Sequence, residues 1–369
     1  MHTFQYLTEK LLREAVPEKD LSSELNAVSE LETFAFARGI PTEISLVQSN
    51  GDTLHEGLML AAALEFATVP PYLVALWSII DEKHAVASSI RAIVHEEMLH
   101  MALINNVLSA IGGKPSLSQI GAPTYPAPLP GNVHPELTLT LGGFTKDSID
   151  MFLEIERPEK VVVVDGCLPP SVVEGDTTIG KFYEAVRLAL HARNPTFSVK
   201  NQVSGPLAPM VIASWDDLEK AFQLILTQGE GSPGSPLDSG SDDLSHYYRF
   251  LEIKLGCRLE WDSTNKILRR GKPITSPSVY PVATPPAMGW GRASSRRIRE
   301  LSRGFNILYS ELLDELQLAW TTEGHRAFLK AMERMFGMRE LARTMIREPG
   351  PGGYGHAPEF RYLSREDRL

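Results

Sequence analysis

The chain runs to 369 residues, 43% of them hydrophobic, enough to bury the core of one large domain or two. Asp and Glu (46) outnumber Lys and Arg (36), giving a net charge of −10, and with no basic run or aromatic-basic interleaving this excludes a nucleic-acid surface. Cys167 and Cys257 form no Cys-x-x-Cys pair, which suits a reducing compartment and excludes a thiolate metal motif.

Lys10, Arg13, Glu14, Glu18 and Lys19 interrupt the first residues, so no secretory leader is expected there. A short amphipathic helix is expected over Phe4–Ala15, within an extension, residues 1–52, packed on the helical domain. A long helix then runs from about Thr53 to Ile80, and its apolar run Leu58–Ala67 carries a single charge, Glu65. Pro70 and Pro71 remove the bonds to the carbonyls of Phe66 and Ala67, which predicts a kink one turn after Glu65 and a substrate cavity between this helix and the helix of His246, bordered by Tyr72 and Tyr247. The uncharged stretch Phe66–Ile80 is too short and too broken by proline to span a bilayer, so a cytoplasmic location is expected.

A second helix covers about Ala85–Ile111 and stops at Gly112-Gly113-Lys114-Pro115, where glycine supplies the left-handed cap. Residues 113–178 lose the helical period and read as a long crossover with β-prone runs at Leu137–Leu141 and Val161–Val164 and one short helix at Ser148–Ile155. A third long helix follows at Ile179–Arg193, and another begins at Ser214-Trp215-Asp216-Asp217, a capping-box pattern. After the Gly, Ser and Pro loop from Ser232 to Gly240, helix resumes over about Asp242–Leu255. Gly256–Gly291 reads as hairpin and loop, and two amphipathic helices within residues 294–347 close the domain, taken as 53–360 with a tail at 361–369.

The chemistry concentrates in these helices. Glu97 and His100, in His95-Glu96-Glu97-Met98-Leu99-His100, share one helical face. Glu65 lies on the preceding helix, and a Glu followed by Glu-x-x-His on the next helix is the half-site of carboxylate-bridged dinuclear centres in four-helix bundles. For the second half-site, Glu184 sits among apolar residues with Leu188 and His191, Glu230 follows Leu226 on an apolar stripe, and His246 lies beyond the loop. Asp243 competes with Glu230, since Asp243-x-x-His246 keeps the spacing literally. Four carboxylates and two neutral histidines offset two divalent ions and suit iron or manganese better than closed tetrahedral zinc. A lone Glu-x-x-His is common by chance; the joint order carries the reading. His95 and His191 are expected to be supporting or surface residues, and Glu96, about 100° around the helix from Glu97, to be solvated or paired near Arg91.

The stretches Glu65–Tyr72, Val94–Met101, Gln228–Gly231 and Ser245–Phe250 resemble the ferritin-like domain of the iminophenyl-pyruvate dimer synthase family, which occurs in violacein and related bisindole pathways. The resemblance spans about Thr53–Phe360, including Ala331–Arg339. It implies a mainly α, ferritin-like four-helix bundle with a long crossover, extra C-terminal helices and a small irregular or β region. It also implies oxidation of small amino-acid-derived molecules in specialised metabolism, the dimer synthases coupling two imines of aromatic 2-oxo acids. Those synthases are much longer multidomain chains, so the expectation here is an O2-using oxidase or oxygenase acting on another small substrate. Two iron ions, alternatively manganese or a mixed pair, would be held by Glu65, Glu97, His100, Glu184, Glu230 and His246, the four glutamates serving as catalytic carboxylates. Tyr72, Tyr183 and Tyr247 are candidate pocket or electron-transfer residues. Expected partners are the substrate, O2 and an electron-donor or pathway protein, with neither nucleic acid nor membrane, for a monomer or small homo-oligomer. The competing classes are iron storage without an organic substrate, and a metal-free helical binding module.

Overall fold

The computed structural model describes residue 10 and residues 53–369 apart from 118–122, 166–178, 206–207, 230, 233, 242 and 292–293. The expected Phe4–Ala15 helix, the 1–52 extension, part of the crossover and Glu230 therefore lie outside the described residues. Eight α-helices are described, joined by loops and three two-stranded sheets.

α1 (Thr53–Ser78) is apolar on nearly every side, and a helix of that kind is stable only when neighbours cover it. α2 (Ala85–Ala110) packs along its length. By length and composition α1 could cross a bilayer, a point missed when the apolar stretch is counted only from Phe66, yet 78% of its most apolar window is buried within the protein. Helix α1 continues through Pro70 and Pro71, and the carbonyl of Ala67 accepts a hydrogen bond from Tyr125 Oη at 2.9 Å. One freed backbone group is thus satisfied within the fold. After α2, Gly112 takes φ +85°, the left-handed cap expected at that stop.

The crossover contributes a short ribbon, β1 (Ala127–Pro128) against β2 (Thr138–Leu139), and α3 (Lys146–Ile155). α3 begins two residues earlier than the period suggests because Thr145 and Ser148 form a reciprocal cap: the Ser148 amide donates to Thr145 Oγ1 and the Thr145 amide to Ser148 Oγ. The Val161–Val164 run forms no strand; only Val164 bridges, to Leu268. α4 (Ile179–Arg193) packs on α1, and α5 (Trp215–Gly229) on α2 and α4. Before α5 the Ser214 cap forms, with Ser214 Oγ receiving the Asp217 amide at 3.2 Å, while Asp217 Oδ2 reaches back one residue further, to the Ala213 amide at 3.1 Å. α6 starts at His246, not Asp242, and ends at Leu255. Residues before it are drawn into the loop instead, where the Asp238 amide donates to Asp243 O and the Ser245 amide to Pro236 O.

The hairpin of β3 (Cys257–Asp262) and β4 (Ile267–Pro273) comes next, then β5 (Val282–Ala283). α7 (Arg296–Leu318) and α8 (His325–Arg347), joined by a π-helical turn, pack antiparallel, and α8 lies on α1. β6 (Gly355–His356) pairs with β5 and crosses α8 so closely that a Cβ at Gly355 would stand 1.7 Å from the Ile346 carbonyl oxygen. The buried core runs from Leu54 to Phe360.

Candidate metal centre

α1, α2, α6 and the residue that ends α3 converge on one buried point. α1 gives Glu65, α2 gives Glu97 and His100 one turn apart, and α6 gives His246 from its first position. The fifth group is Glu156. It follows Ile149, Phe152 and Leu153 on the buried side of α3, so the stripe that packs this helix delivers its last carboxylate inward. Two potential metal-holding trios result, Glu65–Glu97–His100 and Glu97–Glu156–His246, with Glu97 common to both.

Each histidine turns Nδ1 toward this group. His100 Nδ1 lies 3.3 Å from Glu65 Oε2 and 3.9 Å from Glu97 Oε1; His246 Nδ1 lies 2.7 Å from Glu97 Oε1 and 3.5 Å from Glu156 Oε2. The rings stack with centroids 5.5 Å apart. The terminal carboxylates are each held by a phenol: Tyr183 Oη donates to Glu65, and Tyr72 Oη to Glu156 at 2.5 Å. Thr68 Oγ1 lies 3.0 Å from Glu97 Oε2 and 2.8 Å from the Glu65 carbonyl, and its one proton serves either acceptor.

Burial sets the electrostatics. Desolvation, reinforced by the charge of Glu156, pushes the Glu97 carboxyl up to about 7 despite His246. Burial also opposes ionisation of Glu65, but the hydrogen bond and charge of His100 outweigh it and hold Glu65 below the ordinary value. Burial disfavours the charged form of His246 as well, yet Glu97, Glu156 and Glu96 together raise it well above an ordinary histidine. Burial and the adjacent carboxylates raise Tyr72 and Tyr183, which keeps both phenols protonated as donors. Among the described residues no lysine or arginine pairs with Glu65, Glu97 or Glu156, and the buried His246 Nδ1 has no hydrogen-bond partner of acceptable geometry. Three buried or part-buried carboxylates without a permanent cation among the described residues, and an orphaned ring nitrogen aimed among them, fit metal binding through nitrogen and oxygen donors.

The structure therefore brings together Glu65, Glu97, His100 and His246. It does not bring in Glu184. The buried stripe of α4 is Phe182, Tyr183, Val186, Ala189 and Leu190, so Tyr183 enters the site while Glu184 turns outward, its side chain 46% exposed and paired with Arg187 at 2.6 Å. Asp243 is exposed. Glu156 is the residue that sequence reasoning missed, although its position one turn after Phe152 on an apolar stripe was a usable signal. Glu96, its side chain 25% exposed, is paired, but with His246 Nε2 at 2.8 Å and with Arg249 and not near Arg91.

A cavity of about 50 Å³ adjoins the group, lined by Glu65, Thr68, His100 and Tyr183 on one side and by Ile225, Leu226 and Arg157 on others. It lies toward α4 and α5, not between α1 and α6. Tyr72 instead fills the core against Phe152 and Phe250, and Tyr247 packs edge-on to Tyr248.

A ferritin-like family model matches residues 58–255, more than half of the 369-residue chain. The chain belongs to the ferritin-like family. It is similar to the dichlorochromopyrrolate synthase of Lentzea aerocolonigenes, with 26% identity over 74% of this chain and 30% of that protein. The chain thus spans less than a third of that curated relative. Among solved structures, a ferritin-like protein from Caulobacter vibrioides superposes with a TM-score of 0.60 at 22% identity, covering 88% of this chain and 100% of that one. That likeness concerns the fold, a mainly α bundle with few, short strands.

Proposed function

We propose that this ferritin-like protein is a dinuclear non-haem iron or manganese oxidoreductase of the cytoplasm. In this reading it uses O2 to oxidise a small amino-acid-derived molecule, a 2-oxo acid or imine among them, in specialised metabolism. The observation that carries the reading is Glu97 shared between two carboxylate–histidine trios in a site without Lys or Arg partners among the described residues. Similarity to a synthase of a specialised pathway supports the substrate class.

Glu65 and His100 would hold one ion, Glu156 and His246 the other, and Glu97 would touch both. Bound there, a redox-active pair supplies electrons for O2 reduction. The protein's own groups do the rest. Tyr183 and Tyr72 fix Glu65 and Glu156 through their hydroxyl protons and limit how far those carboxylates swing. Thr68, on the cavity wall, can pass its proton donation between the Glu65 carbonyl and Glu97. Leu64, Leu129, Ile225 and Leu226 exclude water, and the guanidinium of Arg157, paired with Glu154, stands on the cavity wall where a substrate carboxylate would meet it. The cavity accommodates dioxygen or a few waters, so an organic substrate enters with movement of walls such as Ile179, where α4 begins, and Gly229, where α5 ends.

Anaerobic loading of the purified chain with Fe(II), followed by metal analysis and oxygen uptake, tests the proposal. About two irons per chain and O2-dependent absorbance changes are expected. A chain that takes up no transition metal and consumes no O2 would overturn it.

A further inference from the structure

The two histidines match on their inner side and differ on their outer one. His246 Nε2 contacts a carboxylate, Glu96 Oε2, at 2.8 Å. Arg249 grips that same carboxylate with two nitrogens, Nη1 standing 3.2 Å from Oε1 and Nη2 meeting Oε2. His100 Nε2 instead contacts a neutral carboxamide, Gln228 Oε1, at 2.7 Å. Behind it, Asp238 receives Thr227 Oγ1 at 2.8 Å and the Gly240 amide at 3.0 Å, and also interacts with Gln228. With Nδ1 turned inward, the Nε2 hydrogen of each neutral ring points at its outer partner. An ionised acceptor polarises that N–H more than an amide does and makes the opposite nitrogen a stronger donor to a metal.

Access differs in the same sense. Glu97 and both terminal carboxylates, Glu65 and Glu156, reach the cavity wall, but of the two histidines His100 lines it and His246 does not.

We infer that the two metal positions are inequivalent. The His246 position, backed by Glu96 and Arg249, fills first and retains its ion; the His100 position, backed by Gln228, is the weaker, exchangeable one and is where a small exogenous ligand reaches metal. Glu96 and Gln228 are then positioning residues that set the gap. This rests on the dinuclear reading above.

The test uses the full metal-free chain titrated with Co(II), followed by equilibrium dialysis and by the optical spectrum, with azide as the exogenous probe. Wild type should bind two ions in steps at least about tenfold apart, and azide should alter the spectrum only after the second step. Replacing a partner behind a metal-bound histidine typically changes affinity about 10–100-fold. Glu96→Gln should therefore weaken the tight step by about that factor and spare the weak one, while Gln228→Glu should tighten the weak step and narrow the gap. Each variant reads one half independently. Two ions of equal affinity, azide sensitivity at the first step, or variants that shift both steps alike would overturn the inequivalence while leaving two metals in place. Fewer than two bound ions in wild type would remove the dinuclear reading and the inference with it.

Discussion

α4 contributes to two groups of glutamates that look alike in sequence and behave differently in the fold. On one side Tyr183 joins Glu65, Glu97, Glu156, His100 and His246; on the other, Glu184 and Glu219 meet Arg187 and His191. The second group is complete as it stands. Arg187 engages Glu184 through two nitrogens at 2.6 and 2.8 Å and reaches Glu219 at 3.2 Å, while His191 stacks on Trp215. Its carboxylate side chains are 40–46% exposed, so water and a permanent cation satisfy them, and such surface pairs contribute little to stability. The first group has more carboxylates, less water and, among the described residues, no such cation. Depth and the absence of arginine, not residue type or helical spacing, separate a metal candidate from a surface ion pair.

The largest effect expected from this contrast is on metal content. Glu97→Ala should abolish most binding of both ions, because both trios share that carboxylate, whereas Glu184→Ala should leave the metal-to-protein ratio of wild type. Equal loss in both variants, by metal analysis after reconstitution, would erase the distinction. Next in size, Glu156→Ala and His100→Ala should each remove about one of two ions. Full occupancy in Glu156→Ala would return the second carboxylate to another residue.

That Glu156 needed the structure while Glu97 did not has a physical cause. Glu97 and His100 stand in a helix whose flanks are strongly apolar, and an i, i+3 spacing there fixes a common face. Glu156 lies at the end of a ten-residue helix in a proline-broken crossover, where the apolar stripe is present but the helix is too short to announce a bundle element. Glu184 failed for a related reason: neighbours Leu188 and His191 are only partly buried or exposed, and the true stripe runs through Tyr183, a one-residue shift that turns the side chain about 100°. The helices themselves were largely legible, because α1 is one long apolar run and α5, α7 and α8 carry amphipathic stripes. The cavity was not, since the Ala67 carbonyl freed by Pro71 is taken up by Tyr125, and the open space lies toward α4 and α5 instead of toward α6.

A pH effect of intermediate size belongs to the metal-free protein. Glu97 is raised from 4.5 to about 7, so its folded state holds a proton the unfolded chain has released. The resulting stability is full below the lower value and is lost as pH rises through the upper one. His246, raised above 6.5, acts in the same direction. The Tm of the metal-free chain should therefore fall between roughly pH 5 and 8. Glu97→Gln should flatten this decline, and Glu184→Gln should not. A Tm that climbs over that interval would contradict the assigned electrostatics.

The smallest effect concerns the scaffold. Tyr125→Phe removes the hydroxyl bonded to the Ala67 carbonyl and should cost about 1 kcal/mol in denaturant unfolding. Metal content should not change, which would separate helix support from the site.

Diffraction from iron-loaded crystals, recorded at the iron absorption edge, tests the central claim most directly. Two anomalous peaks are expected, one between Glu65, Glu97 and His100 and the other between Glu97, Glu156 and His246, with none near Glu184. A lone peak outside these trios, or no peak in protein shown to contain iron, would contradict it.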